Sequence, residues 1–354
     1  RPSQKMLSKI KKIIYKIDRH LFKIFGSEEN IKSLENLKEA KVIFSYLNKF
    51  GNEPKVRFVG GCIRKAIRGE SIDDIDLATS YQPKELKEKL NQKDIKIIET
   101  GISHGTLTVI VNKKKFEITT LRKDIITDGR HAKVDFTSDW TKDSLRRDLT
   151  INSIYADIDG KFFDPQNGIA DLKKGIVQFI GLPEERIKED YLRILRYFRF
   201  FAEYSKIDHD KDIIQSIKQN INGINKISNE RIFDEVKKIL SIKNVHSLFS
   251  NDKSKEILLN IFPQFKYYKR LKIFESLNRR LKSNYDYKLI LALLIVDETD
   301  NYEFFCFKYK TPNSLKEFFK TFSKNFKNLK SKKFYSEENI KKILYFNGKK
   351  NVLD

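Results

Sequence analysis

The sequence predicts an α+β chain, in which a mixed β-sheet head with covering helices is followed by an all-α remainder. Three observations carry this reading. Short runs of alternating or β-branched residues cluster in one region: VRFVGG, KIIET, GTLTVIVN with KKFEITTL, and the stretch from Leu149 to Ile158. Helical spacing of apolar residues precedes them up to about Phe50. It returns from Pro183 onward, in Glu184 to Tyr204, Asp210 to Asn220, Asn229 to Ser241 and further segments to Leu353. The pattern changes after Pro165, which places the boundary near Gly175. The break from Asn112 to Lys115, between two β-branched runs, predicts a hairpin turn with Glu117 entering the second strand. No repeat of fixed period is present.

The 354 residues can bury a sizeable core and suit two to four compact units. The chain has 71 Lys and Arg against 48 Asp and Glu, a formal charge of +23, and such an excess points to nucleic acid or an anionic surface as partner. A general bias toward Lys, Ile and Asn accounts for part of it. Cys62 and Cys306 lie far apart without metal-ligand spacing, so a reducing compartment is expected, the bacterial cytosol with the mitochondrial matrix as the alternative, and neither a disulfide framework nor a zinc site. No apolar run approaches the roughly eighteen residues of a membrane span, and no membrane partner is expected. The basic amphipathic pattern up to Phe25 carries Asp18 and little Ser or Arg, and is read as a surface helix rather than a transit segment.

The most informative stretch is FVGGCIRKAIRGESIDDIDLATS, from Phe58 to Ser80. Gly60 and Gly61 allow close backbone approach to a phosphate, and Arg64 sits beside them. Asp74 and Asp76, two apart on an expected strand, point the same way while Ile75 points into the sheet. Two carboxylates on one face are costly unless a cation lies between them, which favours metal-assisted phosphoryl or nucleotidyl transfer. Taken alone, the segment also fits a solvated D-x-D turn.

Five further segments follow in order: FEITTLRKD, TDGRHAKVDFT, DSLRRDLTINSIYAD, FFDPQNGIADL and RIKEDYLRILRYFRF. With the first, these motifs resemble the class II tRNA nucleotidyltransferases, the CCA-adding enzymes and their bacterial poly(A) polymerase relatives, in wording closest to the alphaproteobacterial and mitochondrial branch. The resemblance covers about Leu37 to Leu240. It implies a nucleotidyltransferase head (1–175), a base-reading neck (176–240), a body (241–300) and a basic tail (301–354) contacting tRNA. Asp74 and Asp76 match the family's Mg²⁺-binding pair, and Glu117 resembles a third catalytic carboxylate. Gly60, Gly61, Arg64 and Arg146 are implied to bind the nucleotide, with Arg147 and Asp148 beside them, Asn152 within ribose reach and Asp143 less defined. Lys65 departs from the aspartate that many members carry, which touches a local ion pair rather than the metal site.

On the helix EDYLRILRYFRF, Asp190, Arg193, Arg196 and Arg199 recur every three residues, with Leu192, Leu195 and Phe198 facing inward. A salt-bridged amphipathic helix would look the same. A carboxylate beside a guanidinium, however, matches the amino donor and ring-nitrogen acceptor shared by cytosine and adenine, and mismatches uracil and guanine. Asp190 and Arg193 are therefore expected to select CTP and ATP. Glu189 would orient the helix, and Arg196 and Arg199 would lie near the triphosphate or orient Asp190. LRKDIITDGRHAKV, Leu121 to Val134, matches the family's flexible loop for passing from C to A addition. ISNERIFDEVKKIL suggests helix packing, with Glu230 and Arg231 as a buried ion pair. His104 and His131 read as ordinary polar residues. From Asn301 onward thirteen Lys and five acidic residues interleave with aromatics, of which Phe318, Phe319 and Phe322 read as core.

The function implied is template-independent addition of CCA to the 3′ acceptor end of tRNA from CTP and ATP. The alternatives are a poly(A) polymerase, a partial CC- or A-adding enzyme, or a non-catalytic RNA-binding protein.

Overall fold

The structure, a computed structural model, describes residues 34, 37–49, 53–72, 74–101, 105–124, 134–281 and 286–328. The N-terminal pattern to Phe25, His104, His131 and the end of the basic tail lie outside them. The chain divides into two compact units, Arg1–Ile180 and Gly181–Asp354.

In the first unit, α1 (Lys38–Leu47) precedes β1 (Val56–Val59), α2 (Gly61–Arg68), β2 (Ile75–Thr79) and α3 (Pro83–Lys89). Then come β3 (Ile95–Gly101), β4 (Thr106–Val111), β5 (Lys114–Thr120), β6 (Arg122–Asp124), β7 (Val134–Phe136) and α4 (Trp140–Leu145). β8 (Tyr155–Ala156), β9 (Phe162–Phe163) and α5 (Gly168–Lys174) complete it. Seven strands form one mixed sheet in the order β3-β4-β5-β2-β1-β8-β9, and β6 and β7 form a separate two-stranded ribbon. Only the β2–β5 pair is parallel among these strands.

Period-two alternation builds the sheet: Val56 and Phe58 on β1, and Phe116 and Ile118 on β5, are fully buried. Each such phenylalanine contributes on the order of 2–3 kcal/mol by burial. The β4–β5 hairpin closes through Asn112 (φ 47°) and Lys113 (φ 67°), the two left-handed residues of a tight primed turn. The stretch from Leu149 to Ile158 is a strand only at Tyr155–Ala156, which corrects the longer strand expected there. Thr150–Asn152 instead forms a 3₁₀ turn, because Thr150 Oγ1 donates to Asp171 (2.6 Å) and Asn152 Nδ2 to Asp148 (2.8 Å). Gly168 seals this turn: a Cβ there would lie 2.2 Å from Thr150 O.

The described part of the second unit is helical throughout: α6 (Pro183–Glu189), α7 (Leu192–Tyr204), α8 (Lys211–Asn220), α9 (Asn229–Leu240), α10 (His246–Ser250) and α11 (Asp252–Ile261), followed by α12 (Lys269–Leu281), α13 (Tyr287–Ile295), α14 (Asn301–Lys308) and α15 (Asn313–Asn328). The helix α7 is buried around most of its circumference through Leu192, Ile194, Leu195, Tyr197, Phe198 and Phe200. Phe319 on α15 is fully buried, as the core reading of the tail aromatics expects. Among the described residues no helix is long and apolar enough to cross a membrane. Both cysteines are buried free thiols.

Candidate active site

The sheet places carboxylates side by side at the middle of the first unit. Asp76 on β2 pairs in register with Glu117 on the parallel neighbour β5, and with Val59 on β1. Asp74 is exposed and stands one residue before β2 begins, so the expected strand carries Asp76 alone and Asp74 is delivered by the approach to it. Ile75 between them is buried, as alternation requires. Burial, then Glu117 and Asp74, push the Asp76 carboxyl above its ordinary value, against the opposing pull of Arg147 and Arg64. Glu117 is exposed and its Oε1 accepts from Lys115 Nζ at 2.8 Å. Lys115 went unmarked in the sequence, although K-x-E spacing on a strand puts both side chains on one face.

The glycine turn lies against this cluster. Gly60 adopts φ 76°, open to glycine at little cost, and a Cβ at this position would meet Asp76 Oδ2 at 3.4 Å. A Cβ on Gly61, the first residue of α2, would lie 3.9 Å from Arg64 Nη2. Cys62 lies beneath them, its Sγ 3.1 Å from Val59 O and 3.7 Å from Asp76 O. Burial pushes that thiol up to about 11, so it is inert as a nucleophile at neutral pH.

Arginines flank the carboxylates. Arg64 is buried and its Nη1 donates to Asn152 Oδ1 at 2.6 Å, while Asn152 Nδ2 donates to Asp148 Oδ1 at 2.8 Å. The Asn152 amide thus links Arg64 on one side to Asp148 on the other. Arg147 Nη1 donates to Asn152 O at 3.2 Å, so two arginines converge on one residue. Arg146 and Arg147 both donate to Asp143, which is completely buried on α4. Arg122 and Phe136 at the ends of the β6–β7 ribbon pair with each other; the segment 125–133 that the ribbon carries lies outside the described residues.

The donor set suits a hard divalent cation: carboxylate oxygens only, with the Asp76 carboxyl raised by burial and by its neighbours Glu117 and Asp74. Among the described residues no group of three or more His, Cys, Asp or Glu side chains is placed to hold a metal ion. Mg²⁺ commonly binds without such a group, through one or two carboxylates completed by water and substrate phosphates.

The second unit holds the remaining expected residues. The single helix expected from Glu184 to Tyr204 is broken: α6 ends at Glu189, Asp190 is extended (φ −156°, ψ 105°), and α7 starts at Leu192. The break arises because Asp190 Oδ1 accepts from Leu192 N (3.1 Å), a local side-chain turn that competes with the helix. Asp190 therefore stands before the face that carries Arg193, Arg196 and Arg199. Its Oδ2 accepts from Arg231 Nη2 at 2.6 Å. This corrects the expected Glu230–Arg231 pair, since Glu230 is exposed and faces Lys310 at 3.4 Å. Glu189 accepts from both Arg186 (2.7 Å) and Arg193, and Arg193 also donates to Arg186 O, so Glu189 orients Arg193. Arg199 donates to buried Glu235 and stacks over Phe200 at 4.2 Å, which anchors it in the helix packing. Arg196 lies 5.6 Å from the same ring. Gly223 fits under Tyr191, whose ring atoms would come within 2.0–2.4 Å of a Cβ there. Neither Arg231 nor Gly223 was legible as a partner of this break, because both lie more than thirty residues away in sequence.

Comparison with known proteins gives a consistent result. Residues 56–178 match the family model described as the poly A polymerase head domain, and residues 208–269 match a probable RNA- and SrmB-binding site of polymerase A. Mitochondrial CCA tRNA nucleotidyltransferase 1 of Mus musculus is 43% identical over 237 residues, covering 66% of this chain and 54% of that protein. The CCA-adding enzyme of Staphylococcus epidermidis is 32% identical over 268 residues, covering 75% of this chain and 64% of that protein. Among solved structures, the Bacillus stearothermophilus CCA-adding enzyme in complex with CTP superposes with a TM-score of 0.68 at 26% identity, covering 89% of this chain and 75% of that one. The chain spans about half the length of the vertebrate relatives it matches.

Proposed function

The chain belongs to the class II tRNA nucleotidyltransferase and poly(A) polymerase family, and on that premise we propose that it adds C, C and A to the 3′ end of tRNA from CTP and ATP without a template. The observation that carries this reading is the registered pair Asp76 and Glu117, with Asp74 at the strand entry and the Gly60 turn against Asp76 Oδ2. Asp74 and Asp76 would hold Mg²⁺. Bound there, the ion would supply charge neutralisation at the triphosphate and a lowered pKa at the attacking 3′-hydroxyl.

The protein's own groups divide the remaining work. Gly60 and Gly61 admit the triphosphate close to backbone, and Arg64, fixed by Asn152, and Arg146, fixed by Asp143, meet its charge. In the helical unit, Asp190, steadied by Arg231, and Arg193, steadied by Glu189, read the Watson–Crick edge shared by cytosine and adenine. We assign 176–240 as the neck that presents them, 241–300 as the body and 301–354 as the tail that follows tRNA backbone. The net charge of +23 supports a polyanionic partner. The compartment proposed is the bacterial cytosol, with the mitochondrial matrix as the alternative that the mitochondrial relatives favour.

The test is incubation with tRNA lacking its terminal CCA, with labelled CTP and ATP supplied separately and together. Two C additions followed by one A support the proposal. The head's match to a poly A polymerase model favours one second reading: repeated A addition to an RNA from ATP alone would replace CCA addition with poly(A) synthesis.

A further inference from the structure

We propose that Asp143 is a positioning residue for the nucleotide triphosphate, acting through Arg146; this rests on the nucleotidyltransferase reading above. The two oxygens of this buried carboxylate serve different neighbours. Oδ1 accepts from the backbone N–H of Arg122 (3.2 Å), the first residue of β6, and from Arg146 Nε (2.8 Å) and Nη2 (2.7 Å). Oδ2 accepts from Arg147 Nε and Nη2, both at 3.1 Å, and from the Tyr155 hydroxyl at 2.7 Å. One oxygen therefore ties Arg146 to the root of the ribbon, and the other ties Arg147 to β8. Burial alone would raise this carboxyl, but the guanidiniums of Arg147 and Arg146, the Tyr155 hydroxyl and the Arg122 N–H outweigh it and hold Asp143 at about 2. It stays ionised throughout the range in which nucleotides are bound.

The two-pronged bond to Oδ1 sets the orientation of the Arg146 guanidinium before any ligand arrives. An arginine side chain loses rotamer freedom when fixed, and here that ordering is completed on folding instead of on binding. A purely structural Asp143 would neutralise two half-buried guanidiniums and affect only stability. A positioning Asp143 also affects nucleotide affinity, equally for CTP and ATP, because the triphosphate is common to both.

The experiment is steady-state kinetics of CTP and ATP incorporation onto tRNA lacking CCA, with thermal melting of each variant. Asp143→Glu keeps the charge but moves it by one methylene, so a folded protein is expected with KM raised about tenfold for both nucleotides and kcat within about threefold. Tyr155→Phe removes the hydroxyl's bond to Oδ2 and the bond it accepts from Arg147 Nε (3.0 Å) but nothing at Oδ1, and is expected to lower Tm while leaving KM within about twofold of the parent. Should Asp143→Glu fail to melt cooperatively, Asp143→Asn, isosteric with the parent, is expected to show the same KM defect. An unchanged KM in a folded Asp143 variant overturns the proposal. So does a KM rise in Tyr155→Phe that matches it at equal loss of Tm. A parent protein that incorporates neither nucleotide removes the nucleotidyltransferase reading itself, an outcome distinct from a working parent matched by its Asp143 variants.

Discussion

Asp76 and Glu117 stand directly opposite one another on parallel strands, so two carboxylates from segments forty residues apart share one face of the sheet. Burial first, and then the charges of Glu117 and Asp74, make the Asp76 carboxyl harder to ionise than an ordinary aspartate. That arrangement works against the stability of the metal-free protein.

The sign follows from linkage. A carboxyl raised in the folded state binds its proton more tightly there than in the unfolded chain, so its contribution is present at low pH and is lost as pH rises through the raised value. Asp76→Asn is therefore expected to melt higher than the parent in EDTA at pH 7–8, and to converge with it below about pH 4. Mg²⁺ should stabilise the parent and not the variant. Scanning calorimetry with and without Mg²⁺ decides it; a variant that melts lower in EDTA would show that Asp76 is a structural group.

His209 makes the helical unit sensitive to acid. Its ring is buried, bonded to the Tyr197 hydroxyl at 2.9 Å and to Ser254, and stacked on Phe201 at 3.5 Å. Burial, only partly opposed by Asp208, pushes it down to about 4. Unfolded histidine takes up its proton near 6.5, so stability is full above that and is lost as pH falls from about 6.5 to about 4. Amide exchange in α7 and α11 should accelerate by at least tenfold between pH 7 and 5 after correction for intrinsic rates. His209→Gln should flatten the response, and an unchanged slope in that variant contradicts the assignment.

The break at Asp190 is held from two sides, by Arg231 through an ion pair and by Gly223 through its lack of a side chain. Arg231→Met leaves Asp190 without this partner, and Gly223→Ala forces Tyr191 to move at a cost of about 1–3 kcal/mol. Both are expected to reduce discrimination of CTP over UTP by about tenfold or more, since a misplaced carboxylate no longer favours the amino edge. Incorporation of all four nucleotides, one at a time, reads this. Unaltered exclusion of UTP and GTP in folded variants would place base selection away from Asp190.

Much of the head was legible because its signals are local. Alternation marked β1, β4 and β5, the Asn112–Lys113 turn followed from its composition, and Gly60 with Gly61 marked a turn where the backbone is open to close approach. The three-residue spacing from Asp190 to Arg199 misled, because it continued a helix through a residue whose own carboxylate caps the next one. Glu230 and Arg231 were paired by adjacency, whereas consecutive helical residues diverge and the true partners are Lys310 and Asp190. Likewise, Thr150 and Asn152 left the strand for partners at Asp171 and Asp148, the first of them twenty-one residues on. Side-chain bonds of this kind carry no periodic trace in a sequence.

The central claim is that Asp74 and Asp76 form the metal-binding pair of a template-independent nucleotidyltransferase. It is tested most directly by incorporation of labelled CTP, then ATP, onto tRNA lacking CCA in Mg²⁺, comparing the parent with Asp74→Asn and Asp76→Asn. The parent is expected to add two C and one A, and each variant to lose on the order of a thousandfold or more in incorporation, with tRNA affinity and fold retained. Near-parental incorporation by either folded variant would contradict it.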